Sequence, residues 1–108
     1  MPPTTDVGWN TVMRFFYGGR NFLAGQDAVT LLLEYSSALA RARSADVVQL
    51  RTVDPDGTIE EVSLVVGAGI PIVGETSHAV GPGPANALVI DYMTRELERL
   101  RAQQPPTG

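Results

Sequence analysis

A chain of 108 residues, 44 % hydrophobic and 19 % charged, is long enough for one domain with one core and no covalent staples. It contains no cysteine, which excludes disulfides, thiol catalysis and zinc–thiolate sites. Its net charge of −4 falls entirely on residues 55–108, and no basic patch exists to neutralise a run of phosphates, so neither nucleic acid nor an anionic membrane surface is an expected partner.

Residues 1–10 (MPPTTDVGWN) are polar and proline-bearing and read as a flexible tail whose end Trp9 is expected to pin to the body. Residues 11–17 (TVMRFFY) carry the aromatic and β-branched side chains of a strand. Gly18-Gly19 suits a two-residue turn, which pairs Tyr17 with Arg20, Phe16 with Asn21, Phe15 with Phe22 and Met13 with Ala24. Met13, Phe15 and Phe22 then share a core-facing side.

Residues 26–43 (QDAVTLLLEYSSALARAR) predict a helix, with Asp27 suited to the N-terminal end of its dipole and Arg41 and Arg43 to the C-terminal end. Thr30, Glu34, Ser37 and Arg41 form one narrow polar stripe. The rest of the surface, including Leu31 and Tyr35, is apolar over an arc wider than one sheet face covers. A second packing surface is therefore expected there, supplied by a second copy or by the C-terminal helix of the same chain.

Residues 46–66 (DVVQLRTVDPDGTIEEVSLVV) predict a hairpin whose register can be read directly. Asp54-Pro55-Asp56-Gly57 fits a type I turn closed by a left-handed glycine. Counting outward, Val53 faces Ile59, Thr52 faces Glu60, Arg51 faces Glu61, Leu50 faces Val62, Gln49 faces Ser63, Val48 faces Leu64 and Val47 faces Val65. Alternation then puts Val48, Leu50, Val62, Leu64 and Val66 on the core side. The other side has complementary pairs at its centre, Arg51 with Glu61 and Gln49 with Ser63. It also carries Val47, Val53, Ile59 and Val65. These four, with Leu31 and Tyr35, are the candidate interface residues.

The stretch GAGIPIVGETSHAVGPG (67–83) is long for a compact domain and is expected to contain an element or a function. Ile70–Val73 suits a short edge strand, where Pro71 is tolerated. Glu75-Thr76-Ser77-His78 is the densest group of reactive side chains, and His78 is the single histidine. His78 is the candidate general base, oriented by Glu75 or Asp91, with Ser77 or Thr76 as hydroxyl partner. An exposed loop histidine is the simpler reading. One histidine with scattered carboxylates is no metal-ligand set, and no cofactor is expected. Gly81-Pro82-Gly83-Pro84 reads as a stiff hinge, since its prolines remove N–H donors that an anion site needs.

Residues 84–102 (PANALVIDYMTRELERLRA) predict the second helix, with Pro84 in its first turn and Ile90, Met93, Leu97 and Leu100 facing inward. Residues 103–108 (QQPPTG) read as a flexible tail. The expected fold is thus α+β: a single domain over 11–102, a two-layer β-β-α-β-β-α sandwich. Its mostly antiparallel sheet has four strands, with a short fifth edge strand at 70–73, and both helices lie on one face.

The helix segment Tyr92-Met93-Thr94-Arg95-Glu96 resembles the Tyr-x-x-x-Asp/Glu pattern of substrates of actinobacterial type VII secretion. That resemblance covers five residues and implies an exported cargo. Those substrates are helical hairpins with Trp-x-Gly between the helices, whereas here the hairpins are β and the tail has Gly8-Trp9.

Three functions are thereby set against one another. The leading expectation is a non-enzymatic interaction module that pairs with itself as a homodimer or with another protein. The alternative is a small hydrolase or ligand-binding protein built on the 67–83 segment around His78, and the third is an exported cargo. No apolar run of membrane-spanning length and no secretory leader is visible, so the expected location is cytoplasmic. The basic residues are all arginine, which with the Ala, Gly, Val and Pro content points to a bacterium with a GC-rich genome.

Overall fold

A computed structural model describes residues 11–54, 56–80 and 83–103, with the side chains of residues 77–80 outside the description. Five strands and two helices follow in the order β1 (Thr11–Tyr17), β2 (Arg20–Gly25), α1 (Gln26–Arg41), β3 (Ala45–Val53), β4 (Ile59–Gly67), β5 (Val73–Val80) and α2 (Ala87–Gln103). The fold is α+β. All strand pairings are antiparallel, and the sheet runs β4-β3-β2-β1-β5.

Both hairpins take the register that their turns dictate. Gly18 and Gly19 have positive φ, the requirement of a tight two-residue turn, and Phe15 pairs with Phe22 and Tyr17 with Arg20. In the second hairpin Asp54 N–H donates to the Thr58 carbonyl and Gly57 N–H to the Asp54 carbonyl. From there every expected pair of β3 and β4 is present, from Val53 with Ile59 to Val47 with Val65.

The fifth strand lies later than Ile70–Val73. It begins at Val73 and pairs with β1, Phe16 with Val73 and Phe15 with Gly74. Pro71 cannot donate to a ladder and stays outside it. Gly74 lets the strand approach α1: a Cβ there would lie 2.9 Å from the Leu33 Cδ1 and 3.1 Å from the Met13 Cε.

The helix ends also shift. α1 stops at Arg41, and the chain closes it with Ser44 N–H on the Leu39 carbonyl and Arg43 N–H on the Ala40 carbonyl. That is the Schellman pattern, with Arg43 in the left-handed position usually given to glycine. α2 starts at Ala87, not at Pro84, and Gly83–Asn86 is non-helical.

One core unites both layers. Phe15, Phe22, Val29, Leu32, Tyr35, Leu39, Val48, Leu50, Leu64 and Val66 pack with Met93, Leu97 and Leu100 of α2, so both helices cover the same face of the sheet. α1 touches all five strands. The sheet curls around it: two strands separate β1 from β4 in the order, yet the Tyr17 hydroxyl donates to the Val65 carbonyl at 2.8 Å and accepts the Val65 N–H at 3.1 Å.

Gly67 ends β4 hard against the start of β3. Its φ is +126°, and a Cβ would lie 2.3 Å from the Ser44 carbonyl oxygen and 2.9 Å from the Ala45 Cα. Both obstacles are backbone. Gly67→Ala should therefore lower stability by about 2 kcal/mol or more, read as a fall in the urea midpoint at unchanged slope. Gly69→Ala, at φ +78° with nothing within 4 Å, should cost less.

Candidate functional site

In an antiparallel pair, residues alternate between those bonded to the partner strand and those whose N–H and C=O point away from it. Asp54 and Thr58 are a bonded pair, so Val53, Arg51, Gln49 and Val47 present their backbone groups to the β2 side. β2 meets β3 only at Leu23 and Val53 before it departs into α1. The next outward residue, Arg51, is served by a side chain: the Asn86 Oδ1 accepts its N–H at 2.8 Å, and the Asn86 Nδ2 donates to its carbonyl at 3.0 Å. Asn86 is buried. At the far end Val47 N–H donates to the Asp46 Oδ1 at 2.8 Å. Among the described residues no partner meets the outward groups of Gln49.

Beside β3, past the point where β2 departs, is an open groove of about 760 Å³, lined by Val47, Gln49 and Arg51 on the strand side and by Asn86, Leu88 and Tyr92 on the side of α2. Leu88 is 88 % exposed. Beneath its far end lies a shared carboxylate. The Asp46 Oδ2 accepts both the Tyr35 and the Tyr92 hydroxyls at 2.5 Å, joining α1, β3 and α2. Burial acts to raise the Asp46 pKa, but the two phenol bonds, the Val47 N–H and the charge of Arg99 outweigh it and hold the carboxyl below its usual range. Burial and the bond to Asp46 push the Tyr35 hydroxyl up, and the bond to Asp46 followed by burial does the same to Tyr92.

The sheet face away from the helices carries the four valine and isoleucine candidates. Val47 is 58 % exposed, Ile59 59 % and Val65 44 %, while Val53 is half-buried. They meet as two direct cross-strand pairs, Val47 with Val65 and Val53 with Ile59. The α1 candidates are not with them. Tyr35 is 1 % exposed and bonded to Asp46, and Leu31 is half-buried against the core. The wide apolar arc of α1 is sheltered by its own chain, because α2 and the curled sheet enclose it, so Tyr35 leaves the set of docking residues.

Of the residues proposed for acid–base chemistry, Glu75, Thr76, Ser77 and His78 fall on the edge strand β5 and Asp91 on α2. Glu75 is exposed and lies 3.8 Å from the Arg14 Nε. Asp91 pairs with Arg95 on the outside of α2. The Ser77 and His78 side chains lie outside the described residues, as does the tail with Trp9. Among the described residues no three His, Asp or Glu side chains cluster as a metal site, and no helix is long and apolar enough to cross a membrane.

Asp46, Asn86 and Tyr92 were missed by pattern reading. Asp46 had a usable signal, since it shares the parity of Val48 and Leu50 and is thus a carboxylate on the core side of its strand. Asn86 had none, because a helix expected from Pro84 places it within the first turn, and its true partner is 35 residues away.

Asp46→Asn should destabilise the fold by about 1–3 kcal/mol at neutral pH. The folded-state pKa of Asp46 is depressed, so its contribution is present above the ordinary carboxylate range and is lost as pH falls through the lowered value. Urea titrations from neutral to acid pH should show the difference between wild type and Asp46→Asn shrinking as pH falls. Asn86→Ala, which strands two backbone groups of β3, should cost about 1–3 kcal/mol independently of pH over the same range. Set against known proteins, the chain has no match among protein-family models, curated proteins or solved structures.

Proposed function

We propose that the chain is a protein-interaction module that pairs with a second copy of itself through the helix-free face of β3 and β4. One observation carries this reading: that face has an apolar cross-strand pair towards each end, with Val47, Val65 and Ile59 exposed and Val53 half-buried, and a polar centre. The pattern is self-complementary. A twofold axis parallel to the sheet, crossing the hairpin between Gln49 and Arg51, lays the Val47–Val65 end of one copy on the Val53–Ile59 end of the other. The same operation sets Gln49 and Ser63 against Arg51 and Glu61 of the second copy, where amide and hydroxyl can meet guanidinium and carboxylate. An isologous dimer requires such reciprocity, and two antiparallel sheets pack face to face in this manner. The module needs no bound group to do this. We infer a bacterial, cytoplasmic setting; the all-arginine basic complement and the Ala, Gly, Val and Pro content support the bacterial part of it.

Sedimentation equilibrium from low to high micromolar concentration tests the reading. The wild-type chain should shift from monomer to dimer, and Ile59→Asp or Val65→Asp should weaken the association at least about tenfold. Both side chains are exposed, so folding should survive, as circular dichroism would verify. A wild-type chain that stays monomeric, or variants that associate equally well, would overturn it.

A further inference from the structure

We propose that the groove between β3 and the start of α2 is a strand-addition site that takes a short extended segment of a partner protein along residues 47–51 of β3. The site goes beyond self-association and does not depend on it: its ligand is recognised through the outward backbone groups of β3, although the groove shares Val47, Gln49, Arg51 and Glu61 with the proposed dimer face.

The structure already shows what chemistry fits there. Where β2 leaves, the Asn86 side chain substitutes for a strand: its primary amide accepts from Arg51 N–H and donates to the Arg51 carbonyl, as a facing peptide group would. One step along the ladder, about 7 Å on, Gln49 presents the same donor–acceptor pair to the groove, and no described residue takes it. The step after that is half open. Val47 has its N–H on the Asp46 Oδ1 and its carbonyl free of described partners. A segment of three to five residues continuing the line of the Asn86 amide would thus gain two backbone hydrogen bonds at Gln49 and a third at Val47.

The walls suit such a segment. Leu88, with Val89 and Tyr92, forms an apolar bank on one side, and the groove opens beside Val47 and Glu61 on the helix-free face. A bound strand alternates its side chains, so every second one would lie on Leu88 while the others point to solvent. Main-chain bonds supply the affinity in this mode of recognition, and a pocket for alternate side chains supplies the selection. The rim is tied down: Asp46 is held by three bonds, Asn86 is buried, and Gly83 passes so close to Gly25 that a Cβ on Gly83 would come within 2.8 Å of the Gly25 Cα.

The test selects a phage-displayed library of random dodecapeptides on the immobilised full chain. Enriched peptides are then synthesised plain and with N-methyl groups at alternate residues, and each is titrated into the ¹⁵N-labelled chain. The proposal expects the Gln49 amide resonance to move, N-methylation to weaken binding at least about tenfold, and Leu88→Asp, on an exposed side chain, to do likewise. Ile59→Asp, outside the groove lining, should not weaken peptide binding, so failure of this site and failure of the dimer are distinguishable. No enrichment above a bare surface would overturn it, as would peptides indifferent to N-methylation or to Leu88→Asp. Binding that appears only after residues 1–10 are removed would assign the groove to the chain's own N-terminal segment. A Gln49 shift driven by protein concentration alone would assign it to a second copy. Either result would reject an outside partner.

Discussion

Half of the backbone groups of β3 face away from β4, and β2 stays beside them for one residue pair only. Unpaired backbone groups in a protein interior cost free energy comparable to a lost hydrogen bond, so the rest of the fold is arranged around finding partners for this strand. Asn86 answers for Arg51, which draws the Gly83–Asn86 segment into the gap and delays the start of α2. Asp46 answers for Val47 and in doing so brings its carboxylate under two tyrosine hydroxyls, one from each helix. The angle of α2 against the sheet follows from these two attachments as much as from the apolar stripe of Met93, Leu97 and Leu100.

The same divergence of β2 from β3 explains the curl. With the two hairpins joined at one bridge, the sheet is free to wrap α1, and the segment between Gly67 and Val73 carries the chain from one edge of the sheet to the other. Ser36 supports that passage, its hydroxyl accepting the Gly67 N–H at 3.1 Å inside the core. A helix enclosed in this way can be apolar over most of its circumference without offering a surface to another molecule. The breadth of its apolar arc measured enclosure, not association.

What could be read from the letters was local. Gly18-Gly19 and Asp54–Gly57 each set a turn, a turn sets a register, and alternation then sorts every side chain of the hairpin to a face. The inward stripe of α2 was equally plain from its spacing. What could not be read depended on partners distant in sequence. β5 pairs with β1 some sixty residues earlier, and its polar letters Glu75-Thr76-Ser77-His78 resemble a loop until β1 is beside them. The end of α1 was obscured because arginine, not glycine, takes the left-handed cap. The groove was invisible because it is defined by where β2 stops pairing, which no residue of β3 announces.

The tyrosine hydroxyl on Val65 has a consequence for how copies of this chain can accumulate. β4 is an outermost strand of nine residues, the kind of bare margin along which sheets add one to another without limit. Tyr17 plugs that margin near one end, and Glu60 and Glu61 place like charges where two such margins would have to run side by side. Growth by stitching sheet to sheet is thereby discouraged, whereas the contact proposed for the broad face would close on itself after two copies and end in a finite particle instead of a fibre.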